Sequence, residues 1–578
     1  MGGGRRSGRA RSRGAAVAGL VVVVLAGALP ALAGPGGGDT LVTVGSPATD
    51  FPRNKQNEPA VAIAMDAAHP NILAAGANEE IDEAPCVGSS CPFVPGIGNS
   101  GIYFSLNGGQ SWIQPTYRGW TARNGTTHVG PIGTIPGYYE RGLVSDGDPA
   151  LAFGPRPGPQ GFSWANGSRL YYANLTSDFP GSRTIPSNTE GIAISRTDNV
   201  RAAAAGNASA WRAPVLASKE LKGAIFSDKE ALWVDNAATS KHFGNAYVCW
   251  TSYRGTSASP ILLSRSTDGG DHWSKPILVA HGSSTAFTGP SFCTVRTDSR
   301  GTVYVFYENG VARGLAQQML ARSSNGGASF DEGSRVVGQA VLPGRLDPAH
   351  VAVGDPRFTM DGLAGAREDA GLSADIANGA PSGRDATNQI VVGWSDGRRG
   401  LNNEISVVQM SANSGQSWSR FVNGAVGSDR PSYTAVAISP NGTDVYVVYD
   451  SFLKPWQRDT GQPRPMQGVV RHADVRGATT LGAFSTLHRG AIGDARGASQ
   501  NSLTSEFLGD YNYVMASRTA ASAVWNDVRG AADCPAIDRY RASLVTAHPL
   551  PAPAPLRDCP PRFGNSDIYG GTYADPTP

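Results

Sequence analysis

The sequence is poor in charge, and the charge that it has is balanced. Only 17% of the 578 residues are charged, and the formal net charge is +2. After the first 13 residues there is no long run of Lys or Arg, so the chain lacks the basic patch with which proteins hold nucleic acid. We therefore expect no nucleic-acid partner.

Signatures of metal and phosphate chemistry are missing as well. No Cys-x-x-Cys pair is present and the nine His are scattered, which argues against a structural zinc site. There is no phosphate-binding loop of the Walker type, so nucleotide hydrolysis is not expected.

Long apolar runs are absent beyond the N-terminus. There, the basic stretch Arg5–Arg13 is followed by the apolar run Ala15–Leu29 and by the small residues of Ala31–Ala33, the order of a secretory signal peptide. Pro30 ends the run before it is long enough for a membrane anchor. We predict a signal peptide over residues 1–33, cleaved near Ala33, and a secreted protein without a membrane span.

The six cysteines fit an oxidising compartment, because their number is even and the chain is expected to be exported. Their positions favour three disulfides, with other pairings left open: Cys86–Cys91, Cys249–Cys293 and Cys534–Cys559.

Glycine and proline, by contrast, are abundant, with 73 and 40 copies, which suits many short strands joined by tight turns. One octapeptide, Ser-x-Asp/Asn-x-Gly-x-x-Trp/Phe, recurs with constant spacing. Its Asp or Asn can bond nearby backbone N–H groups, its Gly accepts positive φ, and its aromatic ring packs under the turn. The four copies are Ser105–Trp112, Ser266–Trp273, Ser323–Phe330 and Ser411–Trp418, with a degraded fifth near Arg196–Asp198.

Each octapeptide belongs to a unit of four strand-like runs. In the clearest unit these runs are Lys229–Asp235, Ala246–Ser252, Ile261–Ser266 and Pro276–Ala280, with the octapeptide between the third and the fourth. Four antiparallel strands make one blade of a β-propeller. The sequence therefore predicts an all-β fold, a single β-propeller of four-stranded antiparallel blades.

The units number seven, with six as the alternative, and the early strand Leu41–Val44 could complete the last blade. The predicted organisation is a linker over 34–39, a propeller over 40–545, and a Pro-rich C-terminal tail over 546–578 held by a disulfide. No second domain is expected.

The first strand of each unit is expected to line the central channel. Because the strands are antiparallel and the octapeptide follows the third strand, the octapeptides lie at the end of the molecule where the first strands finish. The starts of the first strands then meet at the opposite end, around the central channel. Clustered carboxylates there would suit general acid or base catalysis or Ca²⁺ binding, although such residues can also simply cap turns. They are Glu58, Asp148, Asp228, Glu230, Asp355, Asp429 and Asp510.

Loops between second and third strands add arginines on the same face. Arg254, Arg398 and Arg529 could bind acidic or hydroxyl-rich sugars, or could form ion pairs repeated by the architecture. Two further charged stretches, Glu79–Glu83 and Arg367–Asp369, have no role that spacing alone can assign.

The octapeptide is the Asp box, or BNR repeat, and with the blade order it resembles the sialidase superfamily over most of residues 40–545. The resemblance implies a retaining glycosidase with a Tyr nucleophile assisted by Glu, an Asp acid/base, and three arginines that clamp the sialic acid carboxylate. Asn57 stands where the first arginine of the family is found, and Arg53 lies just upstream. The chain is thus expected to diverge from catalytic sialidases.

Candidates for the remaining family roles follow from position. Tyr511, with Glu506 nearby, is the candidate nucleophile, Asp148 or Asp228 the acid, and Arg357 an anion clamp.

Two functions are consistent with these features. One is a secreted glycoside hydrolase acting on an extracellular glycan or glycoprotein at the face opposite the Asp boxes. The other is a non-catalytic propeller that binds a protein or glycan there. A monomer is expected in either case, with Ca²⁺ as a possible cofactor.

Overall fold

The alternating and apolar runs form strands in a computed structural model that describes residues 1–2, 38–65, 69, 71–221, 225–254, 258–283 and 288–577. Apart from its first two residues, the predicted signal peptide lies outside the described residues. Gly36–Pro578 forms one unit by its internal contacts. Within these ranges no helix has both the length and the apolar character needed to span a bilayer.

Seven antiparallel sheets of the described residues share one order, in which successive strands pair from the inside outward. Sheet 1 is Gln56–Ile63, Leu73–Glu79 and Ser100–Ser105; sheet 2 is Ala150–Gly158, Gly161–Asp178, Thr189–Thr197 and Trp211–Leu216; sheet 3 is Phe226–Val234, Ala246–Tyr253, Ile261–Ser266 and Ile277–Ala280; sheet 4 is Gly289–Thr297, Val303–Ala312, Leu315–Ser323 and Arg335–Val341; sheet 5 is Ser373–Ile376, Ile390–Asp396, Ile405–Ser411 and Val422–Asn423; sheet 6 is Arg430–Ile438, Asp444–Phe452, Pro465–Asp474 and Ser485–Arg489; sheet 7 is Tyr513–Ala516, Ala520–Asp527, Asp567–Ala574 and Thr40–Leu41.

Smaller elements decorate these sheets. Short strands occur at Leu143–Ser145, Glu220–Leu221 and Gly493–Asp494, in the hairpin Tyr117–Thr121 and His128–Ile132, and in the small sheet Arg345–Leu346, Phe358–Thr359 and Arg367–Glu368. The α-helices are Val200–Ala204, Pro348–Ala352, Pro535–Ser543 and Pro555–Asp558, and the 3₁₀ turns are Tyr139–Arg141, Ala208–Ala210 and Ala495–Gly497.

The first strands of the sheets lie at the centre. Each packs against the first strand of the next sheet, and that of sheet 7 packs against that of sheet 1. Apolar side chains fill the spaces between sheets, and the second strands of sheets 3, 5 and 7 each contribute a fully buried tryptophan, namely Trp250, Trp394 and Trp525. This is the layout of a β-propeller.

Sheet 7 joins the two ends of the described chain. Thr40 pairs with Gly570 and Leu41 with Tyr569, so the early strand does complete the last sheet. The boundary expected at residue 545 is corrected here, because Asp567–Ala574 lies between Ala520–Asp527 and Thr40–Leu41. Four of its eight residues are Gly, Thr or Ala, which leaves too few large apolar side chains to mark it as a strand.

The three predicted disulfides are all present. Cys86–Cys91 closes a loop, Cys249–Cys293 joins sheet 3 to sheet 4, and Cys534–Cys559 ties the two helices of the C-terminal segment together.

The four octapeptides form turns of one geometry, and we call them the octapeptide turns. In the turn at Ser266, the hydroxyl accepts from the Gly270 N–H at 2.8 Å and donates to Asp268 Oδ1 at 2.8 Å, which also accepts from the His272 N–H at 3.0 Å. The other three repeat these bonds within 0.2 Å. Ser266 pairs with Ala246, which pairs with Val234 at the end of the first strand, so the turns lie where first strands end.

At the other end, the first strands carry bulges. Sheets 1, 3, 4 and 6 each show a register shift there, at a residue with positive φ. A bulge turns side chains away from the sheet, and positive φ costs a residue other than glycine about 1 kcal/mol or more. The five such residues, including one that precedes sheet 2, are Glu58, Asp148, Lys229, Phe292 and Tyr433.

Candidate functional site

The bulged strand ends surround an opening that we call the mouth. Two clefts meet there and share Phe226, Asp228 and Arg367 in their walls. Cleft 1, of about 510 Å³, extends over sheets 1 and 2 and includes Glu58 and Asp148. Cleft 2, of about 830 Å³, extends over sheets 3 and 4. Below the mouth, a narrower channel runs between the first strands of all seven sheets.

Three carboxyl groups from successive sheets form a hydrogen-bonded chain at the mouth. Glu58 bonds to Asp148, and Asp148 bonds to Asp228. The Asn78 amide, from the second strand of sheet 1, donates to Glu58 Oε2 at 2.6 Å and to Asp148 Oδ1 at 3.1 Å. Because carboxylates this close repel each other, the chain must hold protons that isolated carboxyls would lose.

The pKa values follow from this crowding. Burial, reinforced by the charge of Glu58, raises the pKa of Asp148 to about 8. Burial raises the pKa of Asp228 to about 7, with Lys229 acting against the shift and Asp148 adding to it. Burial and the charge of Asp510 also raise the pKa of Glu58. At neutral pH, Asp148 is therefore an acid that still carries its proton.

Asp510 shows the opposite behaviour within the same opening. Arg367 donates to both of its carboxylate oxygens at 2.7 Å, and Lys229 donates to Oδ2. Although burial favours the neutral form, these two cations hold the pKa of Asp510 well below its usual range. Lys229 lies 4.5 Å from the Phe292 ring centroid, which fixes its position further.

Glu230 and Tyr511 lie deeper, in the wall of the channel. Both carboxyl oxygens of Glu230 are buried without a hydrogen-bond partner, and burial, with the charge of Asp148, raises its pKa well above the usual value. Burial raises the pKa of Tyr511 as well, and the charges of Asp148, Glu58 and Glu230 add to the shift. A Tyr hydroxyl and an unpartnered carboxyl thus share one channel.

Not every predicted strand-start carboxylate reaches the mouth. Asp355 lies at the rim of cleft 2, half exposed, where Arg357 donates to it at 3.0 Å. Asp429 accepts from the Tyr449 hydroxyl and from Arg489 at 2.8 Å, outside both clefts' walls. It lies in the loop before sheet 6, and these two bonds tie that loop to the second and fourth strands of the sheet.

Arg398 and Arg529 form ion pairs repeated by the architecture, which is one of the two roles that the sequence left open for them. Each follows a buried tryptophan in the pattern Trp-x-Asp-x-Arg and makes a two-point ion pair with the Asp, at 2.7–2.9 Å. The tryptophan N–H donates to the same Asp. Arg529 also pairs with Asp39 beside the closing strand.

Of the other predicted residues, Arg254 donates to Ser252 Oγ at 3.3 Å in its own sheet. Glu506, proposed beside Tyr511, is buried against Arg464 instead. Asn57 accepts from Asn78 at 3.0 Å in the wall of cleft 1. Arg357 does line cleft 2.

Arg367, Lys229 and Asn78 are the mouth residues that sequence reasoning did not select. Arg367 belongs to the charged stretch Arg367–Asp369. This stretch begins in the small sheet between sheets 4 and 5, so the order of strands in the blades does not predict its position. Lys229 stands between two selected acids. That position between Asp228 and Glu230 is the signal the sequence offers, and the structure places Lys229 inside a first-strand bulge with positive φ.

Two other motifs carry little chemistry. Gly393–Gly397 has the Gly-x-Ser-x-Gly spacing, but Ser395 lies within a strand and hydrogen-bonds Thr434, unlike the strand-to-helix elbow of a serine hydrolase. Among the described residues, Asp444, His472 and Asp575 are a group of possible metal ligands whose ligand atoms all lie within 4.8 Å of one another. This group lies away from the mouth. In the part of the chain that the structure describes, no three carboxyl groups at the mouth form such a set.

The comparisons with known proteins give no family by sequence. No protein-family model matches the chain, and no curated protein matches it. Similar solved structures include a Hadza microbial sialidase (TM-score 0.41, 11% identity, 72% of this chain and 66% of that one). A Trypanosoma rangeli sialidase has a TM-score of 0.36 at 11% identity, over 74% of this chain and 55% of that one. A Penicillium chrysogenum alpha-L-arabinanase has a TM-score of 0.38 at 14% identity, over 72% of this chain and 94% of that one.

This chain thus spans less than two thirds of the length of both sialidases. At such TM-scores and identities the likenesses carry no functional inference, which has to come from the side chains at the mouth.

Proposed function

We propose that the chain is a secreted, seven-bladed β-propeller of the Asp-box type that hydrolyses a glycosidic bond of an extracellular glycan or glycoprotein at its mouth. The observation that carries the proposal is the contrast in pKa between neighbouring carboxyl groups. Asp148 keeps its proton to about pH 8, while Asp510, in the same opening, stays ionised. Environments that separate the pKa values of adjacent carboxyls are a mark of acid–base catalysis.

Asp148 is the proton donor in this proposal. It lies in the wall of cleft 1, where a glycosidic oxygen can approach it. Its proton passes to that oxygen as the C–O bond breaks, and Asn78 and Glu58 hold the carboxyl in place.

Asp228 does not serve as the partner of Asp148, since the two groups share a hydrogen bond. The two carboxyls of a glycosidase stand about 5 Å or more apart, with the sugar between them.

The attacking group in this proposal is Tyr511, with Glu230 as its base. Both lie in the channel below the mouth. Because burial raises the pKa of Glu230, it acts as the base in those molecules in which it is ionised, and its oxygens, which have no other partner, then accept the phenolic proton. Tyr511 Oη bonds to the anomeric carbon as the leaving group departs, and its proton moves to Glu230. Water then cleaves the glycosyl–tyrosine bond, giving its proton to Asp148, and the Tyr511 oxygen regains its own from Glu230. This is the division of roles that the sialidase resemblance implies, with Glu230 in place of Glu506.

The role of Asp510 is to fix positive charge beside the reaction centre. It holds Arg367 and Lys229 by three hydrogen bonds, so these cations are positioned without a substrate present. We keep Asp510 as a positioning residue.

A screen of the purified, exported protein against fluorogenic glycosides tests the proposal. We expect release of the fluorophore from at least one glycoside. Its rate should fall at low pH, where Glu230 is protonated, and at high pH, where Asp148, with a pKa of about 8, loses its proton. If every glycoside is inert while a glycan still binds at the mouth, the protein is instead the non-catalytic binding propeller.

A further inference from the structure

Every cation that lines the mouth, the two clefts and the channel already has a carboxylate partner. There are five such cations in the described walls. The pairs are Lys55–Glu80 at 2.6 Å, Lys229–Asp510, Arg296–Asp375 at 3.3 Å, Arg357–Asp355 at 3.0 Å and Arg367–Asp510 at 2.7 Å. An acidic sugar binds through charge-assisted bonds to Arg or Lys, and here it would have to displace a partner from one of them.

Displacement would be costly for the buried pairs. Freeing Arg367 leaves the carboxylate of Asp510, which is almost completely buried, without the guanidinium that neutralises it. The same walls carry eleven carboxyl groups against five cations. They are Glu58, Glu80, Asp146, Asp148, Asp178, Asp228, Glu230, Glu308, Asp355, Asp369 and Asp510. Each of them that is ionised would repel an anionic ligand.

Exposed aromatic rings supply the remaining surface. Phe226, at the junction of the two clefts, is 53% exposed, and Phe93, in cleft 1, is 55% exposed. Large apolar side chains left open in a polar cleft are typical of ligand sites, and a flat ring matches the C–H face of an uncharged sugar.

We infer that the mouth binds an uncharged oligosaccharide, which lies across Phe226 from cleft 1 into cleft 2, and that it rejects sialic acid, uronic acids and sulfated sugars. The inference rests on the proposed function and names its substrate class. Carboxyl groups and Asn78 would bond the sugar hydroxyls, while the ring of Phe226 would support the pyranose or furanose face.

The experiment is a glycan array probed with Asp148→Asn protein, which removes the acid and keeps a group of the same shape. Binding is then measured for the strongest array hit and for matched forms of it that carry carboxylate or amine groups. Uncharged glycans are expected to be the strongest hits, with at least a tenfold loss for the carboxylate form. Strongest binding by sialylated, uronic or sulfated glycans overturns the inference, as does preference for the amine form or an array without hits.

Two variants sharpen the result. Phe226→Ala should weaken binding about tenfold, whereas Phe421→Ala, which removes a ring that is exposed outside both clefts, should leave it unchanged. Equal effects would overturn the placement of the sugar. Asp355→Asn removes one of the two carboxylates beside Arg357, the other being Asp369, and should raise the affinity of the carboxylate form. No gain would show that paired cations are not what excludes it.

Failure of the inference is distinguishable from failure of the proposed function. Hydrolysis of an acidic glycoside by the unmodified protein overturns the inference alone. Binding of an uncharged glycan that the unmodified protein never cleaves overturns catalysis alone.

Discussion

Both ends of the propeller are repetitive, but they repeat different things. At one end, the four octapeptide turns repeat both the backbone geometry and the side chains, with corresponding hydrogen bonds equal to within 0.2 Å. At the other end, five first strands repeat the positive-φ residue but not its side chain. The positions hold two acids, a lysine and two aromatics.

The difference separates what folds the chain from what could act on a ligand. Where backbone and side chain repeat together, the residue satisfies the turn and nothing else. Where the backbone repeats and the side chain changes, every copy keeps the strained positive φ, while the side chains offer different chemical groups to a ligand. Strained backbone of this kind persists where surrounding structure enforces it, and it clusters at functional sites.

The largest effect should come from matched Asp→Asn changes at the two ends. Asp148→Asn removes the proposed proton donor and should lower kcat by about 10²–10⁴-fold. Asp268→Asn is the same chemical change in an octapeptide turn, and the other three turns already have Asn at this place. It should leave kcat unchanged. Steady-state rates on the best glycoside measure both, and equal losses would contradict the assignment.

A change in an octapeptide turn should affect the free energy of unfolding and not the catalytic rate. Gly270 has φ +87°, and an added Cβ would approach Arg196 Cδ to 2.6 Å. Gly270→Val should therefore destabilise the fold by about 1–3 kcal/mol, with kcat unchanged at temperatures where the variant is folded. Chemical denaturation gives the free energy of unfolding. A Gly270 variant that keeps its stability but loses activity would mean that this end takes part in function.

A smaller effect should be seen in the pH dependence of stability. The pKa of Asp148 is raised to about 8 in the folded protein, so the folded state holds a proton that the unfolded chain releases near pH 4. Its contribution is complete below pH 4 and is lost as pH rises toward 8. Asp148→Asn should flatten the fall in stability over this window by up to about 1.4 kcal/mol per pH unit, whereas Asp268→Asn should not. Parallel curves for the two variants would show that Asp148 is not protonated.

The sequence predicts the octapeptide end better than the mouth, and the reason is physical. A tight turn is encoded by residues close in sequence, so Ser266, Asp268 and Gly270 suffice to predict it. Alternation and strand order also place Glu58, Asp148 and Asp510 at the strand starts. They do not reveal that Arg367, from a small separate sheet, neutralises Asp510, because that contact spans 143 positions.

Local patterns do not predict a role where the same residue types serve both structure and ligand binding. For Arg398 and Arg529 the sequence leaves open both sugar binding and a repeated ion pair, and the structure shows each arginine held by the Asp two residues before it. A preceding buried tryptophan that donates to this Asp marks such a pair as structural. The strand Asp567–Ala574 is hard to predict because half of its residues are small, although its backbone bonds to both neighbours.

Sheet 7 also sets an order of events. Its outermost strand and its neighbour come from positions 530 residues apart, so a chain that emerges from its N-terminus must wait for almost all of its length before the last blade is complete. Loop closure over such a distance is slow, and the closing contact is short: Thr40 and Leu41 form the ladder, and the Val42 N–H donates to Ile568 O at 2.8 Å. The seam should thus be the last part of the protein to form and the first to open. Its two-residue ladder, braced by Asp39 and Arg529, is where a protease or an unfoldase would gain entry.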